Sequence, residues 1–445
     1  MELKYEHIKS IILGILIVTS LLLTWNFWTY QPRYDELQET KVVQEVSLSS
    51  EPGKSVKEIV RPSQVVFHLN NEYYGTIDDR EIENVMNEMR GWTLGIFEDI
   101  SSKVDDNPFS FIDRNNMVEI YYPDSISINT FKKIIPIKDK DVENFNFDQI
   151  VINMNVHEKE TGTIYFVSQK DRLIYKTPVP GDLIANFERK YSSDAISDYT
   201  KYASYFLASE EKPIYVPEGE TELYSYKYLF KQINSDDFKN ALFHDPSLVQ
   251  SSYISAWREF TDGQSVMREN IDESIIRYVN LAVAGNIQND HGDILQRGID
   301  FVNAHGGFTG DYRFADIDPV QKEVLFRLYN ENGYPVFGQN APISEILIAF
   351  GETDINLYKR NNFNLGLLTE DNKVKLMSGP EMVNALITND KYDITRVENV
   401  VIGYEMAKDS ESSLINLEPR WYFLYEGEWE TLSPEDVGGE ANGLE

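Results

Sequence analysis

Apolar positions along this chain fall into three rhythms. The first is continuous: residues 11–30, IILGILIVTSLLLTWNFWTY, carry no charge, and none lies between Lys9 and Arg33. Twenty residues at ~1.5 Å rise span roughly 30 Å, the thickness of a bilayer's hydrocarbon core. Gly14, Thr19, Ser20, Thr24 and Asn26 are small enough to be tolerated there, the hydroxyls by bonding back to helix carbonyls. Trp25, Trp28 and Tyr30 cluster at one end, where amphipathic rings favour the headgroup layer. The pattern predicts one transmembrane helix over 11–30 after a short N-terminus, 1–10. It outruns the roughly 7–15 apolar residues of a signal peptide and lacks a small-residue cleavage site, so an uncleaved anchor is expected. Gly14 has Val18 four residues on, so GxxxG helix pairing is absent, although Thr24 and Asn26 can hydrogen-bond a partner helix.

The other two rhythms alternate along the rest of the chain. Residues 31–60 are polar, broken at Pro52-Gly53, and read as a juxtamembrane linker. Period-two runs at 63–70, 117–123, 149–156, 162–169 and 172–178 predict strands. Asp78 with Glu81 caps a helix bearing Ile82, Val85, Met86 and Met89, and a helix over 182–191 closes a first domain, 61–191. A central domain, 192–308, has a strand at 222–233, a Ser235-led helix, an Asp262-Gly263 hairpin and a strand at 274–283. A helix from Asn289 or Asp290 to Gly306-Gly307 ends it. A C-terminal domain, 309–432, has an Asn332-Gly333 hairpin, a long strand at 344–358, a Ser378/Glu381 capping box and strands at 394–406 and 420–431. An acidic tail, 433–445, follows. Asn-Ala-Leu recurs in the two Ser-led helices (240–242 and 384–386), which hints that the last two domains are copies of one α+β module.

Composition narrows the class. The 445 residues include 27 Tyr and 23 Phe, which favour strands. A formal charge of −32 opposes a nucleic-acid partner, which needs a basic footprint. The absence of cysteine removes disulfides and thiolate metal sites.

Catalytic signals fail one by one. Gly53-Lys54-Ser55 has Leu48 where a phosphate loop needs its first glycine. Ser209 and Lys212 match an acyl-serine spacing, but Pro213 disfavours the helix it requires. No two of the six histidines pair at helical metal spacing, and His68 reads as strand packing. Glu352/Asp354 and Glu428/Glu430 share strand faces, and a hydrolase would need such pairs to converge in a cleft. No catalytic, cofactor or metal residue is expected, and no cofactor.

TWNFWTYQPRYDELQ (24–38), RPSQVVFH (61–68) and EPRWYFLYEGEWETL (418–432) resemble the YycH family. Lys4 and Lys9 before the span balance Arg33 and Lys41 after it, so charge alone leaves orientation open. The resemblance implies a cytoplasmic N-terminus and an extracytoplasmic C-terminal portion, in the cell membrane of a Gram-positive bacterium. It implies an α+β fold: a single transmembrane helix and a three-domain, antiparallel-sheet-rich ectodomain whose last two domains are alike. It further implies a non-enzymatic accessory regulator of the WalK/WalR two-component system, which controls cell-wall metabolism. The implied partners are a WalK-like sensor histidine kinase and a YycI-like sister protein, met through the membrane helix. Trp421, Tyr425 and Trp429 are the candidate ectodomain partner surface. The alternatives are a ligand-binding module and a wall-glycan hydrolase.

Overall fold

A computed structural model describes residues 13, 14, 16–20, 24, 53–103, 115–139, 141–208, 212–281, 293–339, 342–352, 354–409 and 412–432. The chain divides into two units, Met1–Gln44 and Glu45–Glu445, each taken by itself. In the first, the described residues are helical, and Thr24 Oγ1 donates to the Ser20 carbonyl at 2.9 Å, the back-bonding expected of a hydroxyl in an apolar helix. Trp25, Asn26, Trp28 and Tyr30, with most of the expected span, lie outside the described residues. Among the described residues no helix is long and apolar enough to cross a membrane.

The second unit is sheet-rich. It begins with α1 (Val56–Ile59), β1 (Gln64–Leu69), β2 (Glu72–Thr76), α2 (Asp79–Arg90), β3 (Glu98–Asp99), β4 (Met117–Ser127) and α3 (Ile128–Phe131). There follow β5 (Asn146–Asn153), β6 (Thr161–Ser168), β7 (Leu173–Pro180), α4 (Gly181–Asp198), β8 (Thr200–Tyr205) and β9 (Ile214–Pro217). These nine strands make one antiparallel sheet in the order β3-β7-β6-β5-β4-β1-β2-β8-β9. Asp78 caps α2 by accepting from the Arg80 and Glu81 amides, and the helix buries Ile82, Val85, Met86 and Met89 as the spacing predicts. Helix α4 runs seven residues past the expected 191, because Tyr191 and Ala195 continue the buried stripe of Ile184 and Phe187. Phe187 stacks on Phe67 of β1, centroids 6.2 Å apart.

The chain continues through β10 (Thr221–Gln232), α5 (Ser235–Leu242), β11 (Gln250–Ile254), β12 (Trp257–Thr261), β13 (Ser265–Asn270), β14 (Ile275–Asn280) and α6 (Ile294–Ala304). Next come β15 (Tyr312–Asp318), β16 (Glu323–Leu328), β17 (Val336–Gly338), β18 (Glu345–Phe350), β19 (Ile355–Asn361) and β20 (Phe363–Leu376). It ends with α7 (Gly379–Thr388), β21 (Val397–Lys408), β22 (Leu414–Tyr425) and β23 (Glu428–Thr431). An eight-stranded sheet, β11-β12-β13-β14-β19-β18-β16-β15, and a six-stranded sheet, β17-β21-β22-β10-β20 with β23 on β22, result. Every pairing between named strands is antiparallel except β17 with β21.

Several local expectations shift. The first sheet runs on to Pro217, past the expected boundary at 191. The eight-stranded sheet takes strands from both sides of residue 308, since β14 pairs with β19. The long strand at 344–358 is two, folded back at a turn closed by Gly351 N–H donating to the Asp354 carbonyl, 2.8 Å. Alternation continues through that turn, so the period alone hides it. The Asn332-Gly333 turn forms, with Gly333 at φ +83, but its arms part: β16 stays in the eight-stranded sheet and β17 crosses to the six-stranded one. The Asp262-Gly263 hairpin is as expected, pairing β12 with β13. Ser378 and Glu381 complete the capping box on α7, while Asn234, not Ser235, caps α5. The expected start of α6 at Asn289 or Asp290 lies outside the described residues; Asp293 caps the described helix, with Gly306 and Gly307 at positive φ behind it.

Candidate functional site

Among the described residues, buried polar groups gather within the first sheet and at its contact with the eight-stranded sheet. Between the first sheet and the six-stranded sheet the link is β9. Its residues alternate, so successive side chains face opposite ways. Ile214 and Val216 enter the C-terminal core beside Met382, Val383 and Leu386 of α7. Tyr215 points the other way, onto the first sheet, where its hydroxyl donates to Glu119 Oε1 at 2.8 Å and lies 3.2 Å from His68 Nε2. The same Glu119 oxygen meets His68, and the other oxygen accepts from Tyr121 and Gln149. All of His68, Glu119, Gln149 and Tyr215 are buried. Burial, with the Glu119 charge beside it, pushes the Tyr215 phenol well above its ordinary value, so it stays a donor. A carboxylate with four partners is the arrangement that makes a buried charge tolerable.

Between the first sheet and the eight-stranded sheet the central tie is Arg313 of β15. Its guanidinium bonds both oxygens of Asp79, the first residue of α2, and also Asp311, and stacks 4.4 Å from the Tyr329 centroid. Thr130 of α3 donates to Asp293, the cap of α6, which therefore holds two elements at once. Between the six- and eight-stranded sheets, Lys408 of β21 donates to Ser274 Oγ at 2.6 Å and to the Asp272 carbonyl at 3.1 Å. Among the described residues there is an open notch of about 660 Å³ lined by Lys54, Val56, Lys57, Lys133, Ile299 and Asp300, shallow and of mixed polarity. Its lysines are engaged in part: Lys54 donates to the Gly310 carbonyl and Lys133 to Gln296.

The candidates drawn from sequence lie elsewhere. Gly14, Thr19, Ser20 and Thr24 are exposed on the N-terminal helix, and nothing stands within 4 Å of a Cβ built on Gly14. Trp421 is buried in the C-terminal core and its indole donates to the Met377 carbonyl at 3.0 Å. Tyr425 packs on Tyr392, and Trp429 on Phe337 and Arg327. Of the closing aromatics, Trp421 belongs to the core, while Tyr425 and Trp429 are half-buried at its edge. Glu352 and Asp354 lie at an exposed turn, not on one strand face, and Glu430 accepts from Tyr392. His68 is packed, as its strand pattern suggests, but within a charged cluster. Glu119, Tyr215 and Arg313 were not singled out; the available signal was a lone charge inside an apolar strand run, MVEIYY for Glu119.

The described residues define a protein of three sheets and few helices, with a buried polar cluster within the first sheet and side-chain contacts between the sheets. Models of the YycH protein, N-terminal domain and C-terminal domain, match residues 6–193 and 211–435, and the chain belongs to that family. It is 25% identical over 442 residues, 96% of each chain, to the two-component system WalR/WalK regulatory protein YycH of Bacillus subtilis (strain 168). It also matches the crystal structure of YycH from Bacillus subtilis with a TM-score of 0.73 and 22% identity, covering 86% of this chain and 99% of that one. At that identity the match speaks for the fold alone.

Proposed function

We propose that this chain is a membrane-anchored, non-enzymatic regulator of a WalK-like sensor histidine kinase that controls cell-wall metabolism. One observation carries the reading: end-to-end similarity to a protein named as a regulator of the WalR/WalK system. The continuous apolar run at 11–30 supports the anchor, with the C-terminal unit outside the cell membrane. In this reading Gly14, Thr19, Ser20, Thr24 and Asn26 meet partner helices, and a YycI-like protein and the kinase are the partners. Regulation requires that the protein bind two kinase states unequally, because equal binding shifts nothing. A body whose sheets are tied by directional polar contacts suits this task, since it resists deformation when one end is engaged.

The test is recovery from membranes in mild detergent. The full chain is compared with a version whose residues 11–30 are exchanged for an unrelated apolar helix. The expected result is that the full chain recovers the kinase and the sister protein and the exchanged form does not. Recovery of neither by the full chain overturns the reading.

The ligand-binding alternative has one observation in its favour, the lysine-lined notch in a chain of formal charge −32. Its openness and the bonds already made by Lys54 and Lys133 favour it less.

A further inference from the structure

Where β4 of the first sheet meets β15 of the eight-stranded sheet, two carboxylates converge on one amide. The Ile317 N–H donates to Asp124 Oδ2 at 2.9 Å and to Asp316 Oδ1 at 2.9 Å. Asp124 belongs to β4 and Asp316 to β15, where the pairing with β16 is irregular between Phe314 and Asp316. The other oxygen of Asp124 accepts from the Ser125 amide at 2.7 Å, so its carboxyl is held in place and is half-buried. Facing half-buried Asp124 across the joint is a second carboxyl group, that of Asp316, on the exposed side. The same edge continues with Asp318 of β15 and Glu323 of β16, and Glu323 is itself raised by burial and by Asp318 and Asp316. One N–H cannot offset two full negative charges at hydrogen-bonding range. A single shared proton removes the conflict, turning repulsion into a carboxyl–carboxylate hydrogen bond.

We propose that Asp124 and Asp316 form a proton-operated latch between the first sheet and the eight-stranded sheet, closed when they share a proton and loosened when both are charged. Arg313 with Asp79 and Thr130 with Asp293 also cross this joint, so the latch modulates a joint that stays assembled. Burial first, and then the bond from Asp316, push Asp124 up to about 7, against the pull of the two amides. The sign follows: a carboxyl raised on closing favours the closed joint fully at low pH, and that advantage is lost as pH rises through the closed-state value. The latch is a property of the fold and goes beyond the regulatory reading; it stands or fails whichever partner the protein engages.

The test is hydrogen exchange of the full chain in mild detergent, read as protection of 312–318 relative to 379–388 and corrected for intrinsic exchange. Opening at 312–318 should rise about tenfold per pH unit between pH 5 and 7 and level off above. Asp124→Asn should remove the dependence, and Asp316→Asn, whose amide can donate to a charged Asp124, should move the midpoint down by at least about one unit. Both variants are near-isosteric, and unchanged protection of 379–388 confirms that they fold. Flat protection of 312–318 in the unaltered chain, or an unchanged slope in Asp124→Asn, overturns the latch.

Discussion

Arg313 gathers several partners on one buried side chain: its guanidinium has two carboxylates and a tyrosine face around it. Removing the arginine leaves two carboxylates unpaired and only partly solvated, with Asp79 21% and Asp311 36% exposed. Arg313→Ala should therefore cost roughly 3–5 kcal/mol in urea unfolding, and a loss below about 1 kcal/mol would show that the tie is solvated. The acid dependence of this tie runs opposite to that of Asp124. Burial works to raise Asp311, but Arg313 outweighs it and holds the carboxyl below its ordinary value of 3.8. That contribution is present above the ordinary value and is lost as pH falls through the lower folded one. Residues of this kind were the least legible in the sequence. In a chain with 26% charged residues, one arginine in DYRFADID carries no visible mark, and its partner Asp79 is 234 positions away.

Elements were legible where they were made by local rules. The caps at Asp78 and Ser378, the buried stripe of α2 and the Asp262-Gly263 hairpin all follow from neighbours a few residues apart. Pairings set by distant partners were not. Strands β8 and β9 were missed because each is short and β9 sits behind Pro213, yet β9 joins two sheets. The parting of β16 and β17 at a sound hairpin turn is decided by β21, some 70 residues on. Beside β9, α7 comes so near that a Cβ on Gly379 would stand 2.4 Å from Val216 Cγ2 and 2.7 Å from the Pro217 carbonyl. Gly379→Ala should lower stability by about 1–3 kcal/mol through overpacking. The loss should appear as faster exchange in both 214–217 and 379–388. A neutral substitution would mean that α7 and β9 are not rigidly packed.

At the scale of the whole molecule, a sheet-rich chain was legible from aromatic content and alternation, and the antiparallel α+β class from the resemblance to the YycH family. The mixing of strands from both sides of residue 308 in one eight-stranded sheet was not legible, because the order of strands in a sheet leaves no local trace. The sheets meet through side chains: Ile214 and Val216 of β9 in the C-terminal core, Arg313 on Asp79, and Lys408 on Ser274.

Regulation by binding is best measured by co-reconstituting the full chain with the WalK-like kinase in lipid vesicles and following kinase autophosphorylation. The expected result is a change that grows with added protein, saturates at a fixed ratio to kinase, and is lost when residues 11–30 are exchanged for an unrelated apolar helix. An autophosphorylation rate that stays constant across the whole titration would contradict it.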